Sequence, residues 1–306
     1  MTENFPAVPL DAMPGSLSCL LSAACWAFAV TLFRPAIRDR GSAAVNFFKC
    51  LVAGLVFLAI LWTSGSLEGL SEGMTTWYWS SLAAASLLGM SLGDTFVFLA
   101  ASRIGAQRTF LIGTLGPIQS ALLGLAFFGE NLESLQVLGI LLTLGGVALV
   151  VLAEAPRGGP DRPGWTGWLP AFLAMFFQSL GLILNKPSLE VMDAGPNAML
   201  RLFLALPFIL LLGGRPGKAG NIAGILRPGK HTVRLVLGSL IGTVLGFWLY
   251  IYGVKHTKAG IAASMAGTTP IFAIPAAWVL EGRKPTARSL AGTLLAVAGA
   301  SLVSLY

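Results

Sequence analysis

The chain has 306 residues, 55% of them apolar and only 11% charged, with a mean hydropathy of +0.78. That balance excludes an ordinary water-soluble domain, in which about a quarter of the residues are charged. The formal charge of +7 comes from basic residues scattered through short loops, which argues against a nucleic-acid surface and for charge placed at membrane boundaries.

The first fifteen residues, MTENFPAVPLDAMPG, contain no Lys or Arg. They lack the basic start of a secretory signal, so the first apolar run is expected to be a retained span. Apolar runs bounded by charge, Gly and Pro predict ten helices, each close to the roughly 20 residues that cross a hydrocarbon core. The first five run Gly15 to Phe33, Ala43 to Thr63, Trp79 to Ala101, Gln107 to Phe128 and Leu135 to Leu152. The second five run Gly167 to Leu184, Pro196 to Leu212, Leu235 to Val254, Ala259 to Leu280 and Ser289 to Leu305. Between the sets, Glu154 to Thr166 is rich in Pro, Gly and charge and reads as a linker. The expected organisation is a first repeat at 1–152, a linker at 153–166 and a second repeat at 167–306.

Loop charge predicts orientation. The loops after the first, third, fifth, seventh and ninth spans, counted with Arg108 at the very start of the fourth span, hold 15 Lys or Arg, against three (Lys186, Lys255, Lys258) on the other side. Basic loops stay in the cytoplasm, so both termini are expected on the non-cytoplasmic face of the cell (inner) membrane.

The two sets of spans match in order. In the first two helices of each the offset is 152: Phe33-Arg34-Pro35 faces Asn185-Lys186-Pro187, and Lys49 faces Arg201. In the last three it is 153, where Ala85, Gly89 and Gly93 match Gly238, Gly242 and Gly246, and Pro117-Ile118 matches Pro270-Ile271. Gly139 and Gly146 match Gly292 and Gly299 at the same offset. Five spans per repeat force the second copy to run the opposite way through the membrane. The expected fold class is therefore all-α integral membrane, ten transmembrane helices as two inverted five-helix repeats, an arrangement many secondary transporters use.

These residues resemble the EamA family of the drug/metabolite transporter (DMT) superfamily. The resemblance rests on the basic residue early in the second helix of each half (Lys49, Arg201) and the Pro in the fourth (Pro117, Pro270). It rests also on the Glu near the end of that helix (Glu130, Glu281) and on the Gly-x6-Gly helix that follows. Glu130 and Glu281 differ by two residues in register relative to the glycines. The resemblance implies export or uptake of amino acids, related metabolites or amphipathic organic compounds.

Charges inside apolar spans are the first candidates for a site. Lys49 and Asp94 lie at nearly equal depth on adjacent antiparallel helices, where they either form a structural ion pair or handle substrate or protons. Arg201 has Phe247 where its repeat would supply a counterpart to Asp94. It either snorkels outward or faces a central cavity and binds an anionic group. Pro117 and Pro270 are read as helix interruptions, which mark binding sites in transporters or serve as packing kinks. Thr114, Gln119, Thr268 and Thr269 lie near them and offer hydrogen bonds to a ligand, while Trp26 and its partner Gln178 sit mid-span, with Gln178 expected to face inward. The glycine runs read as close helix contacts without chemistry.

No catalytic constellation appears. Cys19, Cys25 and Cys50 stand in apolar runs without ligand spacing, His231 and His256 fall at span ends, and no GxxxxGK[ST] loop is present. The expectation is thus a non-enzyme that needs no cofactor and no metal, works by secondary transport with a small-molecule substrate in a lipid bilayer, and binds no nucleic acid. A homodimer is an allowed assembly. The alternative class is a channel or a non-transporting membrane scaffold.

Overall fold

The computed structural model describes residues 13–67, 70, 72–116, 118–119, 133–153, 165–213, 222–256, 265–282 and 284–305. Among the described residues every regular element is a helix. Six are long and apolar enough to cross a membrane: α1 (Gly15–Arg40), α2 (Ser42–Thr63), α3 (Thr76–Ile104), then a later set. Between the two sets lie α4 (Ala106–Gly113) and α5 (Ser134–Ala153). The later long helices are α6 (Trp165–Val191), α7 (Ala194–Gly213) and α8 (Thr232–His256). The chain ends in α9 (Thr269–Glu281) and α10 (Ala287–Leu305).

Several ends differ from the predicted ones. Arg34, Arg38 and Arg40, assigned to a loop by their charge, lie in the last two turns of α1. Basic side chains suit the negative end of a helix dipole, and the helix continues through Pro35 until Gly41 turns it. Gly41 alone joins α1 to α2, with φ 90°, and Gly105 joins α3 to α4 with φ 89°. A side chain at either position would be strained, so a one-residue corner needs glycine there. His256 is likewise the last residue of α8 and not a loop residue.

The repeats interlock. Gly181 of α6 lies so close to Gly89 of α3 that an added Cβ would sit 2.6 Å from the Gly89 Cα. In the other half, Gly238, Gly242 and Gly246 of α8 press against Phe33, Ala29 and Cys25 of α1. The third long helix of each half therefore packs on the first helix of the opposite half. α2 and α7 cross each other through Gly54 and Phe203, beside a buried core of Ala53, Phe57, Leu202 and Ala205. α5 and α10 pair antiparallel, because Gly146 meets Gly292 and Ala296 while Gly299 meets Gly139 and Thr143. Without a hydrophobic force between helices in lipid, small residues let backbones approach and gain dispersion contact. The outward faces carry Leu211, Val233 and Val279, each at least 70% exposed, as a lipid-facing surface requires.

The glycine runs also do something that their reading as contact surfaces missed. Residues Ser86–Gly93 of α3 and Ser239–Gly246 of α8 are wound as π-helix, at positions related by the same 153-residue offset. Ser86 donates to the Leu82 carbonyl and Ser239 to the Leu235 carbonyl, each at 2.7 Å. A serine hydroxyl that takes the carbonyl one turn back competes with the α-helical register, and the small residues that follow tolerate the wider turn. The shared pattern S-L-x-G-x2-L-G is the sequence signal for it.

Candidate functional site in the helix interior

Lys49 stands seven residues into α2, and Arg201 stands seven residues into α7. At 1.5 Å per residue each is about 10 Å from the start of its helix. Neither snorkels. Lys49 is 6% exposed and Arg201 5%.

The two basic residues meet different partners. Lys49 Nζ forms an ion pair with Asp94, just past the π-helical turn of α3, and sits 5.3 Å from the centre of the Phe98 ring. Asp94 also accepts a 2.8 Å hydrogen bond from Gln178 Nε2 of α6, so Gln178 faces inward and ties the two halves together. Arg201 lies over the Phe247 ring with its guanidinium carbon 5.3 Å from the ring centre. Phe247 is the residue that matches Asp94, so equivalent positions pair in both halves, as cation with carboxylate in one and cation with ring in the other. Gly89 leaves the space that the guanidinium occupies, since a Cβ there would lie 3.2 Å from Nη2. Arg201 Nε is buried and has no hydrogen-bond partner.

The surrounding polar groups are better satisfied. Asn46 of α2 donates to the Met90 carbonyl at 2.7 Å and to Thr95 Oγ1 at 2.9 Å, supporting the backbone of the π-helical turn. Ser91 donates across to the Ala205 carbonyl of α7 at 3.1 Å. Trp26 packs against Tyr250 with ring centres 5.0 Å apart, and Gly246 makes room beside Trp26 as Gly93 does beside Gln178. Asn46, Ser91 and Tyr250 were not among the candidates. Asn46 and Ser91 were hidden among ordinary polar residues, and Tyr250 has only Val97 at its repeat position.

The remaining candidates divide. Thr114, Thr268 and Thr269 donate to the Leu111, Met265 and Ala266 carbonyls at 2.7, 2.6 and 2.6 Å. Among the described residues none of them hydrogen-bonds to the Lys49 and Asp94 group. Gln119 Oε1 is buried without a hydrogen-bond partner. Pro270 occupies the first turn of α9, directly after a turn at Gly267 and Thr268 that separates it from the helical residues 265 and 266. A proline costs little there because the first-turn N–H has no intrahelical acceptor. Pro117 and Glu130 lie outside the described residues.

Comparison with known proteins gives the arrangement a context. The EamA-like transporter family matches residues 13–152 and again residues 165–305. A probable terminal-alkyne amino-acid exporter of Streptantibioticus cattleyicolor is 22% identical over 93% of this chain and 91% of its own. The threonine/homoserine exporter RhtA of Escherichia coli K12 is 27% identical over 42% of each chain. One solved crystal structure superposes with a TM-score of 0.63 at 17% identity, covering 95% of this chain and 96% of that one, which shows a shared fold.

Proposed function

The chain belongs to the EamA-like transporter family, and on that premise we propose that it is a secondary transporter for an amino acid or a related carboxylate-bearing metabolite. The observation that carries this reading is Arg201, a buried guanidinium whose Nε lacks a partner while the equivalent cation, Lys49, is paired with Asp94. A buried guanidinium with an unpartnered N–H is costly, and a substrate carboxylate is the group that best relieves it. The ammonium end of a zwitterion then meets Asp94, in competition with Lys49. The amino-acid exporters among the relatives support the same class.

Transport works by alternating access in this reading, with ten spans as two inverted repeats that rock about the α2–α7 crossing. The π-helical turns of α3 and α8 are the natural places for these helices to change shape, since their backbone register is already relaxed. The test is counterflow in proteoliposomes with a labelled amino-acid panel. A carrier gives saturable exchange that unlabelled substrate competes away, and flux rising linearly with concentration would instead establish a channel.

In this reading the protein sits in the cell (inner) membrane with both termini outside the cytoplasm, which the bias of basic residues in the loops supports. A reporter active only in the cytoplasm, fused after Tyr306, is expected to stay silent. Activity there would reverse the orientation.

A further inference from the structure

An open cleft of about 440 Å³ lies away from the Lys49 and Arg201 group, between the end of α1, the start of α8 and Leu280 of α9. Its α1 wall runs from Asp39 down to Thr31. Thr31 is nine residues before the helix end, so the cleft reaches about 13 Å along the helix. Arg34 is buried in that wall and donates from Nε to the Ala101 carbonyl at 3.1 Å.

The charges in the cleft are unevenly engaged. Asp39 meets Lys230 Nζ and His231 Nε2, each at 2.8 Å, so its carboxylate is already shared. Arg38 and Arg234 line the same cleft from different helices, are exposed, and form no ion pair among the described residues. The fold itself does not ask for these charges. At the equivalent positions of the other repeat, Arg38 is replaced by Glu190, Lys230 by Trp77, His231 by Tyr78 and Arg234 by Ser81. Retention of positive charge at one membrane face accounts for how many basic residues lie there. It does not account for two exposed guanidiniums lining one cleft from separate helices.

We propose that this cleft is an oxyanion-binding site, in which Arg38 and Arg234 take a phosphate or carboxylate group between their planar forks. The fork geometry suits bidentate hydrogen bonding to such groups. The oxyanion comes either from a soluble ion or from the headgroup of an anionic lipid beside α1 and α8, and the chemistry is common to both.

Full-length protein in an uncharged detergent, compared with R38Q/R234Q and R38K/R234K, tests this in two arms. In the first, inorganic phosphate is titrated against potassium chloride of equal ionic strength while Tm is read. A soluble oxyanion raises the wild-type Tm by about 2 °C or more, and R38Q/R234Q loses that rise. In the second, nanodiscs of mixed phosphatidylglycerol and phosphatidylcholine are extracted and the retained lipid is counted by native mass spectrometry. Headgroup binding enriches phosphatidylglycerol on the wild type by about fivefold over R38Q/R234Q. R38K/R234K keeps the charge and part of the effect, which separates a lost site from a lost fold. A difference in either arm supports the site and names its source. If wild type and R38Q/R234Q behave alike in both arms, the cleft is not an oxyanion site.

Discussion

Arg201→Gln is expected to lower transport of a carboxylate-bearing substrate by about 10- to 100-fold, the loss that follows from removing a hydrogen bond to a charged group. Thermal stability should stay nearly constant. Arg201 Nε has no hydrogen bond to lose, and the substitution removes a buried charge that rests against the face of the Phe247 ring. Gln is short enough to leave the Gly89 contact without a clash, because it withdraws the group that approaches Gly89. Arg201→Lys should restore only part of the rate, since an ammonium keeps the charge but not the planar fork. The checks are initial rates in proteoliposomes and Tm in detergent. A wild-type rate for Arg201→Gln would remove the anion-binding role.

Asp94→Asn acts in the opposite way, on folding first. It leaves the Lys49 ammonium buried without its carboxylate, and breaking a buried pair by removing one partner costs about 3 kcal/mol or more. Asn can still accept from Gln178 Nε2, so the link to α6 survives and the loss isolates the charge. The folded yield after solubilisation and the Tm should both fall by amounts visible in any thermal assay. Adding Lys49→Met removes the orphaned charge and should recover much of the loss, a coupling that a double-mutant cycle measures directly. Strictly additive losses would show that the ion pair contributes nothing to stability. The two substitutions thus separate the halves of the site: one cation is held by the protein, and the other is left for a ligand.

Hydropathy, glycine spacing and the 152- and 153-residue offsets made the helical class, the internal repeat and the basic pair legible before any coordinates. Those features are local: a span must be apolar along its length, and a helix contact in lipid needs small residues at fixed spacing. Equal depth on neighbouring helices was also enough to bring Lys49 and Asp94 together on paper. What depended on tertiary structure was which helix each glycine face met. The Gly89 run belongs against Gly181 of the other half, and no pattern within one helix names its partner. The π-helical turns escaped notice because a one-residue change in hydrogen-bond register leaves hydrophobic periodicity almost unaltered. The basic arginines at the end of α1 misled in another way, since charge reads as loop until their stems are seen continuing the helix. Arg201 turned on the same distinction. Its sequence position allowed snorkelling or burial, and only the packing of α3 and α8 around α7 closed the route to the surface, leaving its guanidinium against Phe247 in the interior.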